Sequence, residues 1–437
     1  MQTYDAVVIG GGIAGLVSAI ELAKADKRVI LLEKTGKAGG RGGSVITKGA
    51  VFNLGGHALF KEGEAFAAFR EYGLRLKGGS PKTDGKAIWR GGIAPLPGTA
   101  LGLLASPLLG WRGKAQLGRL LVGLQAVRTQ ELGHVTLREW AERTIHDPMA
   151  RHIVYALLRT STYCKEIDFQ LAGPAIRQLQ RVLRGGVLYV DGGWQSIVTQ
   201  LQEKAERLGV TVSVGTKAAE ILRLNGAAAG VRLADGQTLS AAGVIAAVPP
   251  AELVKLLPGA EIAALRRWRD EARPIASACL DLCLKRLPVP DRHFAIGLDQ
   301  PVFFTNHSRV SKLSDNGTIV VHLIKYNDLG GGHPKEDERL LERTMELLHP
   351  GWRDAEVARR YLPSITVAYD YAHTGRSGPP VGPDVPGLRG LCVAGDWAGH
   401  DELLADASAA SAKRAAAALL LQARTAQTKG RDIYHVV

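Results

Sequence analysis

A glycine-rich turn between a predicted strand and a predicted helix carries the clearest chemical signal in this sequence. Residues 6–9 are four consecutive apolar residues, which indicate a buried parallel strand, and an Ala/Leu-rich helical segment follows the turn. Gly10, Gly12 and Gly15 have the spacing G-x-G-x-x-G. In that motif the first glycine permits a tight turn, the second lets the backbone approach a pyrophosphate, and the third lets helix and strand pack closely. The turn therefore predicts a dinucleotide site.

The start of this helix and the end of the next strand supply the groups that such a site needs. The backbone amides at the helix start, at Ile13 and Ala14, can face phosphates with the help of the helix dipole. A second apolar strand at residues 28–32 ends at Glu33, 23 residues after the first glycine. A carboxylate at this distance can bind the two hydroxyls of an adenosine ribose. Lys34 follows directly and belongs to the same predicted site.

Three further short motifs combine glycine with a charged or ring-bearing residue. Gly39-Gly40-Arg41 begins six residues after the predicted ribose carboxylate, and its arginine is a fixed cation suited to a diphosphate. Gly55-Gly56-His57 and Gly395-Asp396 each follow an apolar strand. Glycine pairs let a backbone pass close to a large flat ligand. A helix predicted over residues 406–422 begins ten residues after this aspartate, and its positive N-terminus can stabilise negative charge.

The elements that hold these motifs alternate between strand, hairpin and helix. Residues 3–33 predict one strand–helix–strand unit. Turns at Asn225-Gly226 and Asp235-Gly236 predict hairpin strands, the last beginning near residue 239, and residues 244–248 predict a separate apolar strand. Residues 63–184 are mostly helical, and the predicted elements there include a helix over 111–132 and a capping box formed by Thr136 and Glu139.

Composition narrows the class of protein and its location. A chain of 437 residues that is 46% hydrophobic predicts two or three domains with sizeable cores. The four cysteines have neither a C-x-x-C pair nor metal-ligand spacing, so we expect reduced, buried thiols and no metal site. The first strand begins within a few residues of the N-terminus, which predicts no signal peptide. The sequence has no run of about 18 uncharged apolar residues, so we expect no transmembrane helix. These features favour a cytoplasmic protein.

The net charge of +13 is concentrated in a way that favours a membrane surface over nucleic acid. Residues 91–130 contain no acidic residue, but they contain four Arg or Lys and many leucines. A basic segment this apolar is typical of an element that lies on the inner face of a membrane, or of a core helix pair with a solvated outer face. The same segment could form an apolar tunnel for a lipophilic substrate. Elsewhere the basic residues are dispersed without aromatic interleaving, so we expect no nucleic-acid binding.

The motifs together resemble one superfamily of flavoproteins. The G-x-G-x-x-G turn, Glu33, Gly39-Gly40-Arg41, Gly55-Gly56, Val248-Pro249 and the C-terminal Ala394-Gly395-Asp396 motif are similar to those of FAD-dependent enzymes. That superfamily contains phytoene desaturases, protoporphyrinogen oxidases and flavin amine oxidases. The resemblance covers the first 60 residues, residues 185–250 and the last 50, and it is looser between them. It implies an FAD cofactor.

The resemblance also implies a role for each site residue. Glu33 would hold the adenosine ribose, Arg41 would lie near the diphosphate, and Ala218 would meet the adenine through its backbone. Gly55, Gly56 and His57 would border the isoalloxazine. Asp396 would bind the ribityl–diphosphate region, and Leu404 and Ala405 would lie at the pyrimidine edge of the flavin. Tyr189, Trp194, Lys325 and Trp397 are further candidates for the pocket wall, and no residue is assigned as catalytic.

The predicted fold is α/β, with a Rossmann-like domain assembled from separated segments. The resemblance and the element pattern predict an FAD-binding domain at residues 1–62, 185–250 and 385–425. A mixed α+β substrate domain is built from the insertions 63–184 and 251–384, and residues 426–437 form a C-terminal tail. The active site is expected between the two domains, where ligand pockets usually lie.

Departures from the family restrict the chemistry. Some amine oxidases attach FAD through a cysteine near the C-terminal motif, but residues 395–412 contain none, so we expect non-covalent FAD. Amine oxidases place a tyrosine where this chain has Leu404, and the family lysine near flavin N5 would fall at Ser277–Ala278, where no lysine occurs. The basic net charge also disfavours a cationic substrate.

The leading interpretation is an FAD-dependent desaturase or oxidase that removes hydride from a hydrophobic small molecule to flavin N5. The cofactor then does the difficult chemistry while the protein supplies orientation and electrostatics. Three alternatives remain open: a flavin amine or amino-acid oxidase, a redox-neutral flavin isomerase, and a non-catalytic flavin-binding scaffold that docks on a membrane or partner. No second dinucleotide motif follows residue 34, so the substrate itself is expected to reduce the flavin. Substrate, electron acceptor and oligomeric state are not predicted.

Overall fold

Two large β-sheets organise the described part of the chain, which also contains twelve α-helices. The computed structural model describes residues 3–82 and 84–433, with side chains up to residue 425. The described strands are Thr3–Ile9 (β1), Val29–Leu32 (β2), Ser44–Thr47 (β3), Ala50–Asn53 (β4), Leu59–Phe60 (β5), Gly78–Gly79 (β6), Lys86–Trp89 (β7), Gly92–Pro95 (β8), Val187–Val190 (β9), Thr211–Ser213 (β10), Ala218–Leu224 (β11), Ala227–Leu233 (β12), Thr238–Ala246 (β13), Ile275–Leu284 (β14), Phe294–Gly297 (β15), Val302–Asn306 (β16), Ile319–Tyr326 (β17), Glu356–Ala368 (β18) and Leu391–Val393 (β19).

The described α-helices range from 6 to 30 residues in length, and short 3₁₀ turns separate some of them. The described α-helices are Ile13–Ala23 (α1), Glu64–Glu71 (α2), Ala100–Ala105 (α3), Trp111–Gly123 (α4), Leu137–Thr144 (α5), Pro148–Thr162 (α6), Ala172–Gly185 (α7), Gln195–Arg207 (α8), Pro250–Lys255 (α9), Ala263–Glu271 (α10), Pro334–Leu348 (α11) and Leu404–Ile433 (α12). The 3₁₀ turns are Gly40–Gly42, Leu124–Ala126, Thr129–Leu132, His307–Arg309, Trp352–Ala355 and Asp396–Ala398.

The first sheet joins strands from three distant parts of the chain. Its order is β10-β2-β1-β13-β12-β11, and β19 pairs with β13. Strands β10, β2, β1, β13 and β19 run parallel, so their carboxyl ends meet at one edge. Every residue of β2 and β19 is buried, as expected for parallel strands covered on both faces. This sheet confirms the prediction of a Rossmann-like part that is assembled from separated segments.

Strand β13 is continuous where the sequence indicated two separate strands. It runs from Thr238 to Ala246, and one long edge pairs with β1. Its first residues pair antiparallel with β12, and its last residues pair parallel with β19. The prediction of a break before residue 244 was wrong, because a hydrophobic pattern reports burial and does not report that a strand changes its partner.

The parallel sheet is covered by helices on one face and by mixed elements on the other. Helices α1, α2, α8 and α12 pack together, and their buried residues form one core with the strands, including Leu16, Ile20, Val198 and Ala412. The opposite face carries Leu253 of α9 and Trp268 of α10. This arrangement leaves the carboxyl edge of the sheet free to form a site.

The second sheet takes strands from both predicted insertions. Its order is β18-β14-β17-β16-β15-β7-β8, and all neighbours are antiparallel except β15 and β7. Helices α4 to α7 cover one face, where Leu117, Trp140 and Ile153 pack with Ile324 of β17. Helix α11 covers the other face through Leu341 and Met345.

Helix ends follow the local sequence signals where these are strong. The capping box at Thr136 is confirmed: its hydroxyl accepts the Glu139 amide at 3.2 Å, and the Glu139 carboxylate accepts the Thr136 amide at 3.0 Å. The helix predicted over 111–132 is shorter, because α4 ends at Gly123 and the extended Val127 then separates two 3₁₀ turns, Leu124–Ala126 and Thr129–Leu132. Helix α12 begins at Leu404, two residues earlier than predicted.

The C-terminal end of the chain is partly outside the described residues. Helix α12 is continuous to Ile433, so residues 426–433 continue its backbone. The rest of the predicted tail, residues 434–437, lies outside the described residues. The boundaries predicted for the two domains stay predictions.

Candidate active site

A cavity of about 1660 Å³ follows the carboxyl edge of the parallel sheet. Its walls include the segments that follow β1, β2, β13 and β19, and residues of β14, β17 and β18 close it from the second sheet. Pockets for a single drug-sized ligand measure roughly 300–1,000 Å³. The cavity is therefore large enough for a dinucleotide and a second molecule.

The glycines of the first turn are needed for two different physical reasons. A Cβ atom on Gly10 would lie 2.5 Å from the carbonyl oxygen of Ala247, and one on Gly15 would lie 1.8 Å from that of Gly10. A Cβ atom on Gly12 would approach no protein atom closer than 4.0 Å, and Gly12 faces the cavity. Packing thus requires glycine at positions 10 and 15, whereas Gly12 leaves space that a ligand can use. This open cradle at the start of α1 fits a phosphate group.

Glu33 is held at the edge of the cavity by hydrogen bonds to both carboxylate oxygens. Oε2 accepts the amide of Gly11 at 2.8 Å, and Oε1 accepts the amide of Thr35 at 2.8 Å and its hydroxyl at 2.7 Å. The side chain is buried, and Lys34 lines the cavity beside it. A carboxylate has about four acceptor positions, so Glu33 can still accept ligand hydroxyls from this fixed orientation.

Arg41 and Asp396 form a bidentate pair where the two sheets meet. The Arg41 guanidinium donates to Oδ1 of Asp396 at 2.7 Å, and to Oδ2 and to the carbonyl of Val367 at 2.8 Å each. The Tyr369 amide donates to Oδ2 at 2.7 Å, and Arg41 stacks 4.6 Å from the Tyr369 ring centroid. Burial lowers the pKa of Arg41, but the Asp396 carboxylate outweighs this effect, so the pKa is raised and the charge is retained.

The Arg41–Asp396 pair differs in one respect from what the sequence indicated. Arg41 and Asp396 both line the cavity, as expected for a site beside a diphosphate. Both Asp396 oxygens already accept hydrogen bonds within the protein. Asp396 is therefore positioned first of all to hold Arg41. The sequence analysis missed Tyr369 and Val367, because one contributes its backbone amide and the other its carbonyl, and no sequence motif reports either contact.

His57 lies between two carbonyl oxygens on the cavity wall. Its Nδ1 is 3.0 Å from the carbonyl of Gly55, and its Nε2 is 3.1 Å from that of Arg41. The ring of Trp194, which also lines the cavity, is 5.0 Å away from centroid to centroid. Burial lowers the pKa of His57, and the two carbonyl contacts oppose this effect without cancelling it.

A buried charged network lies behind the Gly55-Gly56 pair. Asp281 of β14 accepts from His322 Nδ1 at 2.7 Å and from Nη2 of Arg360 at 2.6 Å. The rings of His322 and His307 are 4.5 Å apart, and a Cβ on Gly56 would lie 3.6 Å from the Cβ of His322. Burial lowers the pKa of His307 well below its ordinary value. The network places an ion-paired carboxylate and two imidazole rings behind the cavity wall.

The N-terminus of α12 completes the wall. Leu404, Ala405 and Ser408 line the cavity. Leu404 has a φ of +58°, which is unusual for a residue other than glycine and is typical of functional sites. The first amides of a helix have no partner within the helix, so this end can stabilise a negative charge in the cavity.

The end of the cavity that faces the second sheet is largely apolar. Cys279, Ile324 and Ile365 line it, and the Tyr163 hydroxyl, which could have made it polar, donates to the carbonyl of Gly56 at 2.5 Å. Among the described lining residues the carboxylates are Glu33, Asp396 and Glu252, and each has hydrogen-bond donors within the protein. The described wall therefore offers no unpaired carboxylate for a cationic ligand.

Most of the predicted site residues come together around this one cavity. Those that line it are Gly10, Gly12, Ile13, Ala14, Glu33, Lys34, Gly40, Arg41, Gly56, His57, Ala218, Asp396, Leu404 and Ala405, together with Trp194 and Trp397. Gly15 does not line it because it packs against the carbonyl of Gly10. Gly55 lies behind the wall, where a Cβ would be 2.9 Å from Cys279 Sγ and Ile365 Cδ1.

Three other sequence-based expectations for the cavity wall are corrected. Tyr189 is stacked on His307 at 3.8 Å, and Lys325 pairs with Asp337 at 3.0 Å, so neither lines the cavity. Residues 91–130 do not line it either, so the expectation that they form an apolar tunnel was wrong. Four of their large apolar side chains instead face solvent: Leu101, Leu104, Trp111 and Val122 are 70–84% exposed.

Comparison with known families decides the class of the protein. The profile of the family described as flavin containing amine oxidoreductase matches residues 13–420. The chain belongs to this family. Membership confirms the predicted superfamily, the flavin cofactor and the oxidoreductase class.

Two curated relatives carry different names within this class. The Mycobacterium tuberculosis protein named "Putative flavin-containing monoamine oxidase AofH" is 29% identical over 283 residues, which are 58% of this chain and 59% of the relative. The phytoene desaturase (neurosporene-forming) of Cereibacter sphaeroides is 28% identical over 269 residues, which are 55% of this chain and 52% of that protein. The chain thus matches between half and three-fifths of the length of each.

Solved structures share the fold. An oxidoreductase from Methanosarcina mazei superposes with a TM-score of 0.75 at 19% identity, covering 94% of this chain and 99% of that one. Putrescine oxidase bound to putrescine superposes with a TM-score of 0.70 at 15% identity, covering 96% and 99% of the two chains. At these identities the likeness extends to the fold and not to the substrate.

Proposed function

We propose that this protein is an FAD-dependent oxidoreductase that removes a hydride from a lipophilic small molecule. One observation carries the proposal: a single cavity joins an open phosphate cradle at Gly12 to an apolar end without an unpaired carboxylate in its described wall. Bound there, FAD would supply the hydride-accepting chemistry. The name of the phytoene desaturase relative supports a lipophilic substrate.

The proposed contacts assign one task to each part of the wall. Glu33 binds the adenosine ribose, and the amides of Gly12, Ile13 and Ala14 bind the diphosphate. Ala218 meets the adenine, and Gly40 and Lys34 complete the dinucleotide wall. Gly56 and His57 border the isoalloxazine, and Leu404 and Ala405 lie at its pyrimidine edge. Arg41 and Asp396 contribute as the pair that joins this wall to the second sheet.

We infer that the FAD is held without a covalent bond. The four cysteines are Cys164, Cys279, Cys283 and Cys392, and each is buried. Cys279 lines the cavity, but burial raises its pKa well above the ordinary value, so its sulfur stays a thiol and is a poor nucleophile. Acid or urea should therefore release all of the yellow colour from the protein into the soluble fraction.

The test is an anaerobic substrate screen followed by visible absorbance. Purified protein is reconstituted with FAD and mixed in separate cuvettes with a polyene, a porphyrinogen and a set of amines. We expect a lipophilic substrate to bleach the flavin band near-stoichiometrically, and we expect the amines to leave it unchanged. Protein that takes up no FAD would contradict the proposal, and so would bleaching by amines alone.

Amine oxidation is the second candidate, and the name of the AofH relative is the observation that favours it. Two features of this chain oppose it. The described cavity wall has no unpaired carboxylate to attract an ammonium group, and Leu404 occupies the position where the resemblance expects an aromatic residue. Release of an aldehyde or imine together with bleaching would establish this alternative.

We further propose that the surface of α3 and α4 docks on an anionic membrane. Leu101, Leu104, Trp111 and Val122 are 80, 70, 75 and 84% exposed, and the guanidinium of Arg112 stacks 5.3 Å from the Trp111 ring. The sequence from 91 to 130 has no carboxylate, so its cations complement anionic lipid headgroups. In the part of the chain that the structure describes, no helix is both long and apolar enough to cross a bilayer.

Vesicle flotation tests this surface. Wild-type protein is expected to float with vesicles containing phosphatidylglycerol and to stay behind with vesicles of phosphatidylcholine alone. The double variant Leu104→Asn/Trp111→Gln should lose most of the binding. Leu224→Asn is the matched control, because Leu224 is 65% exposed but belongs to strand β11 of the other sheet. Equal binding by all three proteins would refute the surface, and a dimer whose dissociation follows the double variant would assign it to a second copy of the chain.

A further inference from the structure

His57 faces two hydrogen-bond acceptors, but its neutral ring carries an N–H proton on only one of its two nitrogens. The carbonyls of Gly55 and Arg41 lie 3.0 and 3.1 Å from its two ring nitrogens. Among the described residues, the His57 side chain is the one in hydrogen-bonding distance of these two oxygens. A neutral imidazole donates from one nitrogen, whereas an imidazolium donates from both. Both contacts are therefore hydrogen bonds only when the ring takes up a second proton.

The groups around His57 keep this second proton away while no negative charge is present. His322 on β17 disfavours a further positive charge on the ring. Asp281 on β14 favours it, but that carboxylate is already paired with Arg360 and hydrogen-bonded to His322. Burial adds to the cost of charging the ring. His57 thus has acceptors for a second proton, but the carboxylate that acts on it is already paired with other groups.

We propose that His57 accepts the proton that accompanies reduction of the bound flavin. The inference rests on the proposed function, because it needs the isoalloxazine to border His57. A hydride carries two electrons and one proton from the substrate C–H bond to the flavin, which gains one negative charge. The substrate loses its second proton to solvent, and the unprotonated ring nitrogen of His57 binds a proton in its place. The anion and the imidazolium then neutralise each other, and both carbonyl contacts are made.

The number of protons taken up per two electrons distinguishes this role from a structural one. The midpoint potential of the FAD-loaded protein is measured by spectroelectrochemistry from pH 6 to pH 9. Wild type is expected to take up two protons and His57→Gln one, because glutamine donates to a carbonyl but does not titrate. One proton corresponds to about 30 mV per pH unit in the slope for a two-electron couple. The spectrum of the reduced form should be that of the flavin anion in wild type.

The control is His400→Gln. His400 Nε2 also contacts a carbonyl, that of Val381 at 3.3 Å, but His400 does not line the cavity, so this variant should keep the wild-type slope. A one-proton slope in wild type, or equal slopes in wild type and His57→Gln, would overturn the inference with FAD binding intact. If His57→Gln fails to hold FAD, the wild-type slope and its reduced spectrum decide. Protein that binds no FAD would overturn the proposed function as well.

Discussion

At the scale of single residues, Gly12 and Gly15 differ in what excludes a side chain. The Cβ of an alanine at 15 would overlap the backbone of Gly10 at 1.8 Å, whereas one at 12 has 4.0 Å of clearance from the nearest protein atom. Gly12 also has an ordinary φ of −77°, which alanine adopts without strain. The first glycine of this pair therefore serves the ligand, and the second serves the fold.

Alanine substitutions separate these two roles. Gly12→Ala should leave the melting temperature of the FAD-free protein within a few degrees of wild type. It should weaken FAD binding at least tenfold, about 1.4 kcal/mol, because the methyl group fills the phosphate cradle. Gly15→Ala should lower the melting temperature itself by well over that margin. Calorimetry of the FAD-free protein and fluorescence titration with FAD measure the two effects. Equal loss of stability in both variants would contradict this division.

The residues that sequence could not reveal are those that act through their backbone. Glu33 and Arg41 could be found because their side-chain chemistry and spacing are specific. Val367 lies in β18 and Tyr369 follows that strand, 326 or more residues beyond Arg41. They contribute a carbonyl and an amide, which every residue type except proline offers. Gly55 was placed on the cavity wall because a glycine pair allows close approach, but its neighbour is Cys279 and not open space.

At the scale of elements, one buried carboxylate connects two helices of the parallel-sheet side. Asp406 lies in the first turn of α12, and its Oδ1 accepts the amide of Ala65 in the first turn of α2 at 3.0 Å. Oδ2 is buried without a hydrogen bond, 3.6 Å from the guanidinium of Arg181. Burial raises the pKa of Asp406 to about 7, more than the Ala65 amide and Arg181 lower it.

This carboxylate should make stability fall as pH rises towards 7. The folded protein holds the Asp406 proton more tightly than the unfolded chain does. Its stabilising contribution is complete below about pH 4 and is lost as pH rises through about 7, up to about 4 kcal/mol in total. The free energy of unfolding of Asp406→Asn, relative to wild type, should therefore improve between pH 5 and pH 8.

Urea unfolding at a series of pH values measures this difference. Asp401→Asn, at an exposed carboxylate five residues earlier, controls for the change of side chain. A wild-type minus Asp406→Asn difference that stays constant over this range would show that Asp406 does not titrate there and would contradict the prediction.

Element type followed from sequence better than element ends did. The capping box fixed the start of α5 because both of its hydrogen bonds are local. The extent of β13 and the end of α4 depend on partners elsewhere in the chain, which a local pattern does not contain. The surface of α3 and α4 is the clearest case, because a stripe of leucines predicts either a core or a membrane face equally well.

At the scale of the whole molecule, three regions more than 350 residues apart in sequence at their extremes share one cavity wall. The turn after β1, the segment after β2 and the start of α12 all line it. FAD bound in this wall would contact each region, and a ligand that binds the folded state alone stabilises it by about 2.7 kcal/mol at a hundredfold excess over its dissociation constant.

Hydrogen exchange should report this convergence directly. Adding FAD to the FAD-free protein is expected to slow amide exchange in residues 10–15, 33–43 and 395–408 together, because all three regions lose solvent contact in one event. Helix α11, packed on the far face of the second sheet, serves as the internal reference and should not change. Protection confined to the first of these regions would indicate that the dinucleotide is bound by the β1–α1 turn alone.

The Arg41–Asp396 pair has a consequence for anyone who would transplant this cofactor module. Strand β18 supplies the Val367 carbonyl to Arg41, and Tyr369, which follows it, supplies its amide to Asp396. A chimera that kept the parallel sheet and replaced the rest of the chain would leave a charged guanidinium and a carboxylate short of their donors and acceptors. Grafts that exchange substrate specificity should therefore retain the end of this strand, with its register intact, even when every side chain that touches the substrate is replaced.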